Sequence, residues 1–173
     1  RRSIERVDAE IGEIVKGDVV MQRIATMLGI VSAAAVVAHM GDPASYESTA
    51  SFVKAAGLNL KERSSGKHDG KLKITKRGPA RVRFYLYFAA LRLIRTDVIV
   101  KTWHQRRKNY AERHAMSGVV AVMRKLARAL PHIAKGETFD SAKLFDTRRL
   151  GLAETAASQG ASPVVMKDIE VIA

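Results

Sequence analysis

Pro79-Ala80-Arg81-Val82-Arg83-Phe84-Tyr85-Leu86-Tyr87-Phe88-Ala89-Ala90-Leu91-Arg92-Leu93-Ile94-Arg95 is the stretch from which the fold class follows. Val82, Leu86, Ala89 and Leu93 recur at spacings of three and four, the period of a helix with one face in a core. Tyr85, Phe88 and Leu91 widen that apolar stripe, which marks the helix as central. Pro79 suits its first turn, where a missing N–H costs nothing. Arg81, Arg92 and Arg95 fall together on another face.

Working outward from this helix, the neighbouring segments are also helical. Downstream, Thr96-Asp97 caps a further helix that carries Trp103, and Ser117 to about Ala134 has a second buried stripe: Val119, Val122, Met123, Leu126, Leu130 and Ile133. Upstream, Ile4, Val7, Ile11 and Ile14 mark an amphipathic leading helix over 1–17, with alternating charges on its outer side. Asp18 is the N-cap of the next helix, Gly29 breaks it, and an Ala/Val-rich helix follows to about Met40. Gly41-Asp42-Pro43 is a turn, and Ser48 caps a short helix that ends at Gly57. Leu58 to Gly78 differs in kind: polar, basic and punctuated by glycine, with Lys71-Leu72-Lys73-Ile74-Thr75 alternating like a short strand. The expectation is an all-α, compact multi-helix domain over 1–136, with a short β-like loop excursion. It divides into the leading helix 1–17, a helix-hairpin-helix-like part 18–56, a Ser-Gly loop 57–78 and basic helices 79–136. Residues 137–173, Ala/Ser-rich and weakly periodic, read as a C-terminal tail.

Charge narrows the function. The 173 residues sum to +13, yet Lys61 to Arg128 alone holds 19 Lys/Arg against four acids, so the remainder is close to neutral. Solubility by itself intersperses its signs, whereas segregation of this kind is the footprint of a polyanion site. With 47% hydrophobic residues the chain can bury a core, which excludes disorder throughout. The absence of cysteine excludes disulfides and thiolate metal sites, and is compatible with a reducing cytoplasm. No apolar run is long enough to span a membrane, since Ile30 to Ala38 is interrupted by Ser32. The chain has no initiator Met or signal peptide and opens inside a helical pattern, so a piece of a longer protein is expected.

Two segments say more than charged helices do. Thr26-Met27-Leu28-Gly29-Ile30-Val31 resembles the turn of a helix-hairpin-helix, in which backbone N–H groups meet a phosphate. Val31 stands at the second glycine position and its Cβ obstructs that approach, so a plain tight helical hairpin is the equal alternative. The other segment is the order Gly57-Leu58, Arg63-Ser64-Ser65-Gly66-Lys67, Ile74-Thr75-Lys76-Arg77-Gly78, then Arg83. This order, with the Ala-rich and basic helices after it, resembles the C-terminal domain of the bridge-RNA-guided insertion-sequence transposases, which join a DEDD RNase H-like domain to a serine-bearing helical domain. The likeness runs from about Ile4 to Phe139. It departs at Val31, and at Pro79, where the family has a small polar residue.

The resemblance implies a serine nucleophile that attacks a DNA phosphodiester and holds the cut strand as a phosphoserine. Ser65 is the candidate and Ser64 the fallback. A serine hydroxyl needs activation, and the transition state gathers negative charge that cations offset. Arg63, Lys67, Lys71, Lys73, Lys76 and Arg83 supply them near the serine in sequence, and Arg77 is a further candidate contact to nucleic acid. Arg81, Arg92, Arg106, Arg107, Lys108, Arg124 and Lys125 are the candidate contacts to nucleic-acid backbone. No metal site is expected in the chain: Asp42, Glu47, Asp69 and Asp97 lack ligand spacing, and the resemblance places Mg²⁺ on the carboxylates of the N-terminal RNase H-like domain. It further implies DNA, a guide RNA, that acidic domain and further copies of the chain as partners, and a cytoplasmic, nucleoid-associated bacterial setting. The fragment alone is then expected to bind nucleic acid without cutting it.

The rival function is a non-catalytic helix-hairpin-helix DNA-binding module whose Ser-Gly loop is a linker; a basic RNA-associated structural protein is a third. Tyr110 beside Arg106, Arg107 and His114 evokes a tyrosine recombinase, but the order of nucleophile and Arg/His motif fails. His68, His104 and His114 lack the partners of a zinc site. Trp103 reads as a core anchor before a base-stacking residue.

Overall fold

The structure, a computed structural model, describes residues 2–62, 73–110 and 115–147. It is all-α in the expected sense, with eight helices and one two-stranded sheet among the described residues. The helices are α1 (Arg2–Gly17), α2 (Val19–Leu28), α3 (Ile30–Met40), α4 (Thr49–Ala55), α5 (Ala80–Thr96), α6 (Val98–Tyr110), α7 (Ala115–Ala134) and α8 (Ser141–Leu144), with a 3₁₀ turn at Pro43–Ser45. Strands β1 (Leu60–Lys61) and β2 (Lys73–Ile74) pair antiparallel.

Local chemistry fixes most boundaries. Asp18 accepts a hydrogen bond from the Met21 N–H at 2.9 Å and starts α2. Ser48 and Ser51 form a reciprocal capping box at α4. Asp97 accepts from the N–H groups of Ile99 and Val100 and restarts the chain as α6. Each such cap is worth about 1 kcal/mol. Gly29 alone joins α2 to α3: at φ 85° it closes the first helix, donating to the Ala25 carbonyl, and begins the second.

The core lies where α5 and α7 meet. Val82, Leu86 and Ala90 of α5 and Val122, Leu126 and Leu130 of α7 are fully buried, together with Ile24 and Met27 of α2, Val36 of α3 and Phe52 of α4. The buried arc of α5 is narrower than the sequence implies. Phe88, expected to widen it, is 50% exposed, as is Phe84. On α1 only Val15 is buried, and Ile4, Val7 and Ile14 stay open.

The core also runs past residue 136, so the segment read as a tail begins as folded chain. Asp140 caps α8 through the Ala142 N–H. Phe145 is fully buried, edge-on to Trp103 with ring centroids 5.1 Å apart, which makes Trp103 the core anchor it resembled. The Lys125 ammonium lies 5.0 Å from the centre of the Phe145 ring and donates to the Leu144 carbonyl at 2.6 Å. No periodicity signals Phe145, because one aromatic residue needs none to plug a gap. Phe145→Ala should therefore lower unfolding free energy by about 3–5 kcal/mol in urea denaturation. A true tail residue would leave it unchanged.

Candidate nucleic-acid interface

The candidate interface is built at the neck where the chain leaves the core after α4 and returns before α5. Gly57, at φ 69°, and Gly78 stack backbone on backbone: a Cβ on Gly78 would sit 2.0 Å from the Ala55 carbonyl oxygen, and one on Gly57 would sit 2.5 Å from the Gly78 nitrogen. Only glycine at both positions allows this crossing. Arg83, one helical turn into α5, secures it, with Nη1 donating to the carbonyl of Gly78 at 2.6 Å and to that of Ala56 at 3.3 Å. From α7, Arg124 Nε donates to the Leu58 carbonyl at 2.8 Å. Beyond the crossing, the N–H groups of Lys76 and Thr75 bond the carbonyls of Gly57 and Asn59, both at 2.9 Å. Lys76 does so at φ 57°, a left-handed conformation uncommon for a side chain of its type.

The short ladder above the neck has a telling register. Leu60 faces Ile74, and Lys61 faces Lys73. Residues directly opposite in an antiparallel pair extend to the same side, and like charges so placed repel. Both lysines are exposed, as are Lys76, Arg77 and Arg81 just after them. None of these five has an acidic partner among the described residues. The ion pairs that are described, Arg6–Glu10, Lys16–Glu13 and His132–Glu137, all lie outside the basic stretch. Repulsion of this kind is relieved by an anion that contacts both charges.

The expected site residues thus divide into distinct sets. Lys73, Lys76, Arg77 and Arg81 gather at the neck with free charges. Arg83, Arg92, Arg124 and Lys125 hold backbone carbonyls instead: Arg92, on the outer side of α5, reaches back to the Met27 carbonyl beside the Gly29 corner. Desolvation of its guanidinium there lowers its pKa from the ordinary value, though an arginine stays charged at any physiological pH. Arg106 is exposed on α6, away from the neck in sequence. Ser64, Ser65, Arg63, Lys67 and Lys71, and the side chains of Arg107 and Lys108, lie outside the described residues, as do His68, His114 and the side chain of Tyr110. Lys61 is the addition that sequence reasoning did not single out; its signal is a position mirroring Lys73 across the loop. At the α2–α3 corner, Val31 stands in the first turn of α3 with its side chain 40% exposed. Among the described residues no three His, Asp or Glu side chains come together as a metal site, and no helix is long and apolar enough to cross a membrane.

Comparison with known proteins gives this geometry a context. Residues 21–106 match the family model described as Transposase IS116/IS110/IS902 family, a span that contains the neck, the loop and all of α5. Over 97 residues, 56% of the chain, it is 32% identical to the insertion element IS900 uncharacterized 42 kDa protein of Mycobacterium paratuberculosis. That match covers 24% of the relative's own length. The two matches support an insertion-sequence transposase.

The neck makes a sharp stability contrast. Gly78→Ala should cost at least about 2–3 kcal/mol, because the methyl group meets backbone that has nowhere to go. Gly12→Ala in α1, where an added Cβ meets nothing within 4 Å, should instead stabilise by about 0.5–1 kcal/mol. Thermal or urea denaturation of the two variants checks both signs.

Proposed function

We propose, taking the kinship with insertion-sequence transposases over residues 21–106 as premise, that the chain is the serine-bearing domain of a DNA transposase. It docks DNA and a guide RNA on its basic face and presents Ser65, or failing it Ser64, to a phosphodiester. The observation that carries this is the neck. Gly57, Gly78 and Arg83, the ordered residues of the family likeness, meet at the base of the segment that bears the serines, beside cations that have no acidic partner among the described residues.

In the proposed step the serine Oγ bonds to phosphorus while its proton leaves to a base. One P–O ester bond breaks, and the freed strand end takes up a proton as a hydroxyl. Charge builds on the non-bridging oxygens, where Lys61, Lys73 and Lys76 can offset it without first being stripped from an acid. The fixed crossing below limits how far the loop's two ends can move, and so favours a defined approach of the nucleophile. The family resemblance, not this chain, places Mg²⁺ on the carboxylates of an acidic RNase H-like domain of the same protein. Further copies of the chain complete the proposed assembly, in a cytoplasmic, nucleoid-associated setting, and sequence choice falls to guide-RNA pairing.

In the full-length protein with DNA, guide RNA and Mg²⁺, Ser65→Ala should abolish strand cleavage and the covalent protein–DNA adduct while binding persists. Undiminished cleavage by both Ser65→Ala and Ser64→Ala would overturn the nucleophile assignment. Binding with no cleavage by the unaltered protein would favour the plain DNA-binding module, which the one-residue α2–α3 corner also suits.

The opposed lysines add a separate prediction. Lys73→Gln should weaken DNA binding and flatten the log–log salt dependence by about 0.9 if it meets one duplex phosphate. It should not destabilise the free protein, since it removes a repulsion. Affinity measured across a salt series, with denaturation alongside, checks both halves.

A further inference from the structure

The outer face of α5 is the one large aromatic surface among the described residues that the core does not use. Phe84 and Phe88, one helical turn apart, are each 50% exposed, with ring centroids 4.8 Å from one another. Tyr85 and Tyr87 buttress them edge-on at 5.3 and 5.4 Å. Arg81 lies three residues before Phe84 and Arg95 seven after Phe88, on the same side of the helix. Both arginines are exposed, and neither has an acidic partner among the described residues. Leaving two adjacent phenylalanines in water is unfavourable, and contiguous apolar surface of this sort marks a contact site. The opposite face of α5 is locked in the core through Val82, Leu86 and Ala90, so the helix cannot sink into a lipid surface as a free amphipathic helix would.

We infer that Arg81, Phe84, Phe88 and Arg95 form a track for single-stranded DNA, with bases stacked on the two rings and phosphates held by the two arginines. This rests on the proposal that the chain handles nucleic acid, and adds to it where an unpaired strand lies. Aromatic faces between cations are the chemistry of sequence-tolerant single-strand binding, because every base has a face to stack. From Arg81 to Arg95 the helix rises about 21 Å, room for several nucleotides. The arginine donors can meet a ribose 2′-hydroxyl as well as a phosphate, so the choice of DNA comes from the proposed function and the two rings supply the stacking. Arg81 also stands two residues after Pro79, so a strand on this face leads toward the neck.

The test uses the full chain with a labelled oligothymidylate, an abasic DNA of the same length and an oligouridylate, each titrated by fluorescence anisotropy. The thymine-bearing strand should bind at least about tenfold tighter than the abasic one. Phe84→Leu/Phe88→Leu should erase that difference, and Phe84→Tyr/Phe88→Tyr should keep it; both changes lie on the surface and leave the core intact. Arg81→Gln/Arg95→Gln should flatten the log–log salt slope by about 1.4, at about 0.7 per single-strand phosphate. Equal binding of base-bearing and abasic strands overturns the track. So does an unchanged difference in the leucine variant, or a preference for the oligouridylate. If the leucine variant alters only self-association, the face is a protein interface and the inference fails. No readout involves cleavage, so loss of the Ser65 assignment leaves these outcomes standing, and their failure leaves the serine chemistry untouched.

Discussion

The crossing of Gly57 over Gly78 is the contact on which the arrangement of the site depends. It closes the segment between α4 and α5 at its base, so the ends of that segment are fixed by backbone contact, whatever lies between them. The packing tolerates no Cβ, and the carbonyls it exposes are gathered by Arg83 and, one residue further, by Arg124. Because Arg83 belongs to α5 and Arg124 to α7, the neck is tied to the two helices that share the centre of the core. The neck and the core packing are thereby one mechanical unit: a shift in α5 against α7 is felt at the neck.

That double use of arginine changes how the basic charge is understood. A guanidinium's donors suit a peptide carbonyl as well as a phosphate, and sequence holds no sign of which it will meet. Arg83, Arg92, Arg124 and Lys125 bond carbonyls that helix ends and turns would otherwise leave bare. Lys61, Lys73, Lys76, Arg77 and Arg81 remain uncommitted at the neck, as do Arg95, Lys101 and Arg128 elsewhere in the basic stretch. Segregation of charge is plain in the composition; its division into charge that holds the framework and charge left uncommitted needs three-dimensional partners.

The same distinction separates what was legible in the fold. Helix starts were readable because Asp18, Ser48 and Asp97 each satisfy N–H groups within three residues, a purely local matter. The buried stripe of α7 was equally clear, since its six apolar positions follow one period. Periodicity gives the direction of a buried face but not its width, and so Phe88, at the margin of the α5 stripe, fits the pattern of the core although it faces out. The pairing of β1 with β2 spans the loop and was half visible, in the alternation around Lys73. Phe145 was invisible, for it is a single residue answering a gap left by α6 and α7. Of the candidate site, sequence supplied the ordered glycines, serines and cations; their convergence at a neck is tertiary.

Lys76 draws these themes to one position. Holding a lysine at φ 57° costs roughly 1–2 kcal/mol that a glycine would not incur, yet a glycine would carry no charge to the mouth of the loop. Backbone comfort and surface potential therefore select opposite residues at this one position. A variant chosen for heat resistance alone would drift toward glycine here and erode the positive charge of the neck.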